Sequence, residues 1–560
     1  MALDLTAEQK ETGKANFAHA TGELTRRGFM KSMAAGAAVL PVSAAVYFGY
    51  DQWKGNKAVR TALIGCGDEG GVLVGDHNPA FNEIVAVCDL RPYNLERIFT
   101  GEPNGPRKGL NKKYGEAEAK KIASYSDVKK LVADKDKLGL EAVIIATPLN
   151  THDTIMKLCM DAGLHVFCEK LMARTITRCK DMIKYAKDKG LLLGIGHQRH
   201  YSTLYAHATE VVNAGVLGDI KHIRCQWPRN NSWPFTASDE ERKKFATGND
   251  LDGKPFDIPF YRDGWCKPIL AQDAEALLKD PSLLKDAGFN SVTELSRWRL
   301  YDKTGGGLMA ELGSHQLDAS SIFLGHVHPL AVSGVGGKFF YGPGRNDRES
   351  DDGVFVTYEF PGPKHPKAGK GGTDPSDIVV VSYESFNTNS FEKYGECLMG
   401  SRGTMVVEME AEVYLYKEPE PGKANSGGKD TKVAITTTKD GKPVAEATST
   451  WGGAGGPAIV KAAGAAAWDT PVRGYQTELE HFAYCVRKWD KKVGWEKGPD
   501  GKFKQDVPRC HGEVAMADAI LALTANMAMK KQARIEFEDG WFKPESADVP
   551  ETKHAPSQAT

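Results

Sequence analysis

The chain has 560 residues, more than one compact core organises, which calls for two domains with insertions. Hydrophobic residues make up 41% and charged residues 26%, the balance of a globular chain rather than of a disordered or membrane-embedded one. Lysine and arginine number 72 against 73 acids, so charge gives no ground for a nucleic acid or an anionic membrane as partner.

The first 24 residues are polar, and Arg26 and Arg27 follow in TRRGFMK. An Ala/Gly-rich apolar run then extends from Met33 to Tyr50, interrupted by Pro41. A spanning helix wants ~20 strongly apolar residues, and this run is weaker. It resembles a twin-arginine export signal, with Val42-Ser43-Ala44 as a small-residue cleavage site. The resemblance implies passage through the twin-arginine export machinery in the folded state and a periplasmic or otherwise exported location. It also implies no stable membrane span after cleavage; an uncleaved anchor is the alternative. Residues 1–57 are assigned to signal and linker.

From Val59 the pattern is strand, glycine turn, helix. VRTALIG is rich in strand formers, and Gly65, Gly67 and Gly70 stand in G-x-G-x-x-G spacing. The first glycine permits the tight turn and the second lets the backbone approach a pyrophosphate. The third lets helix and strand pack closely. The helix N-terminus then offers oriented N–H groups to phosphates, beside Asp68 and Glu69. A second strand, EIVAVCDL, ends at Asp89, where a carboxylate accepts hydrogen bonds from ribose hydroxyls and disfavours a 2′-phosphate. NAD is therefore the expected cofactor; Arg91, able to pair with a 2′-phosphate, leaves NADP open.

The alternation continues. Residues 116–135 read as helix, and GLEAVIIATPLNTH reads as a buried strand whose loop carries Thr147, Pro148, Asn150 and His152. Helix 152–162, strand LHVFCEK, helix 174–189 and strand LLLGIGHQRH follow. This predicts a doubly wound parallel sheet over residues 58–200, with ligands beyond the carboxyl ends of its strands. Those ends present Gly65, Asp89, Thr147-Pro148, Glu169-Lys170 and His197 to one crevice. The ten cysteines form no CxxC pair or zinc-type cluster, so no metal site is expected, and Cys66, Cys88 and Cys168 read as buried thiols.

IGCGDEGG, VCDL, IATPLNTH, HVFCEKLMA and GGGLMAELGSHQLD together resemble the Gfo/Idh/MocA oxidoreductases over about Val59 to Phe542. The resemblance implies a Rossmann domain followed by an α/β domain with a large, mostly antiparallel open sheet, which forms the substrate wall and often an oligomer face. The lysine of the family's E-K-P motif, which touches substrate and nicotinamide, corresponds to Lys170, after Glu169; Leu171 stands where the family has proline. The family's D-x-x-x-H motif corresponds to Glu311 and His315, with glutamate replacing aspartate.

The chemistry has its own logic. Oxidising a carbinol needs a group to take the hydroxyl proton and another to hold the developing oxyanion. Glu311 and His315 lie four apart, on one face of a helix. His315 is the expected proton acceptor, Lys170 the electrophilic partner, and Glu311 the orienter of His315 or of a sugar hydroxyl. Residues 201–545 form the expected substrate and oligomerisation domain, with insertions near 230–300 and 418–470, and 546–560 are a tail. The first insertion is rich in aromatics and arginine, which suits sugar recognition. Candidate substrate contacts are His197, Arg199, Tyr201, Trp298 and Arg299. An insertion packing on its own aromatics, or at a subunit contact, is the plain alternative.

These residues point to an exported NAD(P)-dependent oxidoreductase acting on a sugar, polyol or glycoside, with a tightly bound cofactor and a dimeric or tetrameric assembly. A redox-neutral, NAD-dependent glycoside hydrolase working by oxidation and elimination is one alternative. A non-catalytic carbohydrate-binding protein on a Rossmann scaffold is another.

Overall fold

A computed structural model describes residues 5–32, 44–53, 56–256, 261–418, 428–429, 433–437, 443–447 and 473–554. Six short strands pair in parallel from Val59 onward: β1 (Val59–Ile64), β2 (Asn82–Cys88), β3 (Ala123–Tyr125), β4 (Ala142–Ile145), β5 (His165–Glu169) and β6 (Leu193–Gly196). Their spatial order is β3-β2-β1-β4-β5-β6. Chain direction through the sheet reverses beside β1, and the crevice opens there, at the carboxyl ends of β1 and β4. The four residues of β4 are all buried because helices cover both faces, which is why this strand reads as an unbroken apolar run.

The second sheet has eight strands in the order β13-β12-β11-β7-β10-β9-β8-β16. They are β7 (Ile220–Gln226), β8 (Ala331–Gly337), β9 (Gly353–Pro361), β10 (Ile378–Phe386), β11 (Gly395–Gly400), β12 (Gly403–Glu408), β13 (Glu412–Lys417) and β16 (Ile535–Glu536). β7 and β10 run parallel, and the other pairs are antiparallel. Along β9, Val354, Val356, Tyr358 and Phe360 are buried while Phe355 and Thr357 are exposed. That period of two marks a sheet with one covered face. The cover is helix Ser314–Leu324 and helix Gly512–Lys531, and the latter also packs on helix Ile176–Lys189 of the first domain.

Several expectations need correction. Residues 116–135 are not one helix: β3 lies between the short helices Glu116–Ala119 and Val128–Ala133. The N-terminal segment is not a linker throughout. Helix Ala7–Ser32 packs on β13, where Asn16 Nδ2 donates to the Leu415 carbonyl at 3.0 Å and Tyr416 Oη donates to the Gln9 carbonyl at 3.1 Å. Gly13 makes the approach possible, since a Cβ there would stand 2.6 Å from Tyr416 Oη. Tyr50 is buried against the first domain and donates to Glu480 at 2.8 Å. Arg26 and Arg27 belong to helix Ala7–Ser32; Val42 and Ser43 of the expected cleavage site lie outside the described residues.

Within 418–470 a hairpin of β14 (Val433–Thr437) and β15 (Pro443–Ala447) is present, and most of the remaining segment lies outside the described residues. The expected tail is pinned as far as His554: Lys180 Nζ donates to the carbonyls of Gly540, Ser546 and Asp548 at 2.9, 3.0 and 2.7 Å. The 230–300 insertion builds its own core from Ile269, Leu277, Leu284, Phe289, Val292 and Leu295. It also leans over the mouth of the first domain, where buried Asp273 accepts from Arg91 Nε at 2.8 Å and from Tyr93 N at 3.0 Å. Among the described residues no helix is long and apolar enough to cross a membrane. All ten cysteines are free and buried.

Candidate active site

A cavity of about 960 Å³ opens at the carboxyl ends of the parallel strands and runs to the face of the second domain. Its floor is the glycine turn. Gly65 has φ +96°, and a Cβ on it would meet the Ala146 carbonyl oxygen at 2.3 Å. A Cβ on Gly70 would come 2.1 Å from the Gly65 oxygen, so helix Asp68–Asp76 can approach β1 only with glycine there. A Cβ on Gly67 would meet no protein atom within 4 Å. Gly67 caps the helix and faces the cavity, so the open space is on the ligand's side. These three positions match the three roles of a dinucleotide-binding turn.

Asp68 does not face the cavity as a free carboxylate. It pairs with Lys267 of the insertion and with Arg97 Nη1 at 2.9 Å; burial opposes its ionisation, but these cations hold it well below the usual carboxylate range. Glu69 is different: its Oε1 is buried without a partner, and burial raises its pKa despite nearby Lys170 and Arg299.

Asp89 braces the turn from β2. It accepts from Cys66 N and Arg91 N, both at 2.8 Å, and from Asn94 Nδ2 at 3.1 Å. Burial raises its pKa, and these donors oppose the shift. Arg91, which also lines the cavity, gives its Nε to the buried carboxylate of Asp273 at 2.8 Å.

At the end of β5, Glu169 and Lys170 both line the cavity. Glu169 Oε1 has no partner, and burial, with Glu69 adding to it, pushes this carboxyl well above its usual value. Lys170 Nζ donates to the Glu311 carbonyl at 2.8 Å. The Lys170–Leu171 peptide is cis. His152 staples the neighbouring loops, with its ring nitrogens 3.0 Å from the Leu171 carbonyl and 2.9 Å from that of Thr147. Thr147, Pro148 and Asn150 also border the cavity, and Asn150 Oδ1 is buried without a partner.

Glu311 and His315 reach the cavity from a π-turn, Met309–Gly313, that runs into helix Ser314–Leu324. The Glu311 carboxylate is gripped by Arg299 Nε at 2.7 Å. Burial raises its pKa, but Arg299 and Lys170 outweigh burial and hold the carboxyl below its usual value. His315 lies against Trp227, its Nδ1 is buried without a partner, and burial plus Lys170 and Arg199 drive its pKa well below 6.5. The imidazole is neutral, the form a proton acceptor needs.

Trp298 and Arg299 border the cavity, the guanidinium 4.3 Å from the indole centroid. His197, Arg199 and Tyr201 do not, and their assignment as substrate contacts is corrected. Arg199 is sealed beneath the site by Glu396 and Glu410, both at 3.0 Å, and bonds the His315 carbonyl. Tyr201 Oη lies 2.9 Å from His481 Nδ1, and His197 has no exposed surface. The sequence reading missed Tyr394, which stacks on Trp227 with centroids 4.2 Å apart, and Lys267, Arg473 and Tyr475. Trp227 and Arg229 had a signal, an aromatic–arginine pair at a strand exit; Tyr394 sits in a loop without a motif.

Comparison with known proteins accords with this geometry. Residues 59–197 match the GFO_IDH_MocA model, described as an oxidoreductase family with an NAD-binding Rossmann fold. That stretch is therefore an NAD-binding Rossmann domain, and NAD is the cofactor its residues fit. Inositol 2-dehydrogenase 1 of Saccharopolyspora erythraea is 30% identical over 105 residues, 19% of this chain and 30% of that protein. A glycosyl hydrolase family 109 protein of Stenotrophomonas maltophilia is 27% identical over 250 residues, 43% of this chain and 48% of its own. The chain spans only 28–30% of the length of the first curated relatives it matches. A solved levoglucosan dehydrogenase in complex with NADH superposes with TM-score 0.51 at 16% identity, covering 86% of this chain and 100% of that one. This likeness shows the shared two-domain fold.

Proposed function

We propose that this protein is an NAD-dependent oxidoreductase of the Gfo/Idh/MocA type that oxidises a carbinol of a sugar, polyol or glycoside. One observation carries the reading: Lys170, its ammonium held on the Glu311 carbonyl, and the His315 ring border the same cavity as the open side of Gly67. NAD, when bound, supplies the hydride acceptor. Gly67 and the N-terminal N–H groups of helix Asp68–Asp76 hold its phosphates, and Glu69 and Glu169 line the same cavity. His315 takes the hydroxyl proton, and Lys170 steadies the negative oxygen. The Trp227–Tyr394 stack gives a flat apolar wall for a pyranose face, while Arg299 and Arg229 offer donors to its hydroxyls.

The insertion supports tight retention of the cofactor. It covers the crevice between its contacts at Asp68 and Asp273 and the Lys129–Asp286 pair. A retained cofactor needs a second, carbonyl-bearing substrate to restore it. Export by the twin-arginine route rests on Arg26, Arg27 and the run that follows them. A dimer or tetramer is favoured by the exposed Val335, Phe339 and Phe355 on the uncovered face of the second sheet. Mass spectrometry of small molecules released on denaturation, followed by a sugar panel read by cofactor absorbance, tests the function. Release of no nicotinamide nucleotide contradicts it.

A second reading has one observation behind it: the family 109 relative aligns over 43% of this chain, more than twice the share aligned with the inositol dehydrogenase. On that reading the enzyme cleaves a glycosidic bond without net redox change. Liberation of the leaving group from aryl glycosides, with no second substrate present, separates the two.

A further inference from the structure

Behind the catalytic face lies a cluster that the reaction does not use. His197 follows β6, Asp318 sits on helix Ser314–Leu324, and Asp518 on helix Gly512–Lys531. One ligating atom from each lies within 4.8 Å of the others, and all three side chains are buried. Among the described residues this is the one such group.

Two carboxylates and an imidazole withdrawn from water need a compensating charge or a full set of hydrogen bonds. The hydrogen bonds are incomplete. Neither nitrogen of His197 has a partner, although the ring has no exposed surface. Its Nδ1 stands 3.7 Å from Asp318 Oδ2 and its Nε2 4.0 Å from Asp518 Oδ2, both too long for a hydrogen bond. Asp318 Oδ2 and Asp518 Oδ2 face one another's acid or the His197 ring with no nitrogen donor in hydrogen-bond reach. Only Asp318 Oδ1 is engaged by a nitrogen, His200 Nε2 at 2.7 Å.

We propose that His197, Asp318 and Asp518 bind a divalent first-row transition-metal ion, with His200 as a fourth ligand or as the support of Asp318. One neutral imidazole and two carboxylates make a nitrogen/oxygen set that suits zinc, manganese or iron(II) and balances a double positive charge. Ligands ~2.0–2.2 Å from such an ion require the three groups to draw slightly closer, which small side-chain rotations supply. The ion ties the end of β6 to two helices of the second domain, and Asp318 lies one helical turn from His315. Its role is therefore to fix the two halves of the crevice rather than to touch substrate. His197 and His200 stand three apart in GHQRH, but Asp318 and Asp518 lie far along the chain, so no single motif announces the set.

The test uses the full chain, produced with added zinc and freed of loose metal on a chelating column. Elemental mass spectrometry is expected to find about one ion per chain. Replacing zinc with cobalt(II) is expected to give visible absorption bands. Dialysis against a strong chelator should lower the thermal midpoint and speed release of bound dinucleotide, with zinc restoring both. D318N and D518N should lose the ion. Wild-type protein decides the matter even if the variants fail to fold. Folded wild-type chain that carries less than about a tenth of an equivalent after zinc loading, with a midpoint indifferent to chelator, overturns the proposal and leaves a proton-sharing carboxyl pair in its place.

Discussion

The Lys170 ammonium sits 2.8 Å from the main-chain oxygen of Glu311, so the first residue after β5 grips the π-turn that carries Glu311 and leads into the helix of His315. The contact crosses from one domain to the other and lines the cavity on both sides. The charge that steadies the substrate oxygen is thereby set at a fixed place relative to His315.

Lys170→Ala removes that charge and leaves the glycine turn intact. Turnover is expected to fall by about 10²–10³-fold, the loss typical of one oxyanion donor, with bound dinucleotide unchanged. Single-turnover reduction of the bound cofactor checks it; a variant that reduces its cofactor at the wild-type rate contradicts the assignment.

The pH profile follows from the neutrality of His315. The working form of a base is the unprotonated one, so a lowered pKa moves the acid limb to lower pH. An ordinary histidine loses half of that form at about pH 6.5, whereas burial, Lys170 and Arg199 hold His315 well below. The rate of cofactor reduction is expected to stay flat from about pH 8 to about pH 6 and to fall only in more acid solution. Half-loss of the rate at an ordinary histidine pKa contradicts it.

The glycines of the turn separate folding from binding. Gly65→Ala places a methyl 2.3 Å from the Ala146 oxygen at a positive φ, and the unfolding free energy should drop by about 2–4 kcal/mol. Gly67→Val adds its side chain to open space, so the thermal midpoint without nucleotide should hold while NAD affinity falls by about 100-fold or more. Thermal melts and titration of the nucleotide-free protein read both effects. Equal loss of stability in the two variants contradicts the geometry.

Asp273 engages Arg91 at the rim of the cavity. Asp273→Asn keeps the shape but removes the charge, at a cost of about 3 kcal/mol in stability for a broken buried pair. The freed guanidinium is expected to narrow the preference for NAD over NADP by about tenfold. Competitive binding of the two nucleotides measures it, and an unchanged ratio contradicts the account of Arg91.

The first domain was legible because several strands of the parallel sheet end in a local signature: the glycine turn after β1, Asp89 after β2, Glu169-Lys170 at the end of β5. β3 escaped because three residues, Ala123–Tyr125, inside a charged helical stretch carry no period of their own. The docking of helix Ala7–Ser32 could not be read, since it depends on Tyr414 and Tyr416, far along the chain. Arg199 and Tyr201 misled for the same reason. Polar side chains just past a strand end look available, and only tertiary structure brings Glu396, Glu410 and His481 to bury them. The Arg299–Glu311 pair joins the insertion to a motif residue, a coupling that neither segment signals alone.

The most direct measurement is the near-ultraviolet absorbance of the purified protein, without added nucleotide, as sugars and polyols are introduced one at a time, followed by mass spectrometry of what denaturation releases. The account predicts that one of them brings up the band of reduced nicotinamide promptly in the wild type and far more slowly in Lys170→Ala, with nicotinamide nucleotide released from both. A protein that releases no such nucleotide, and shows no band after loading with NAD, contradicts it.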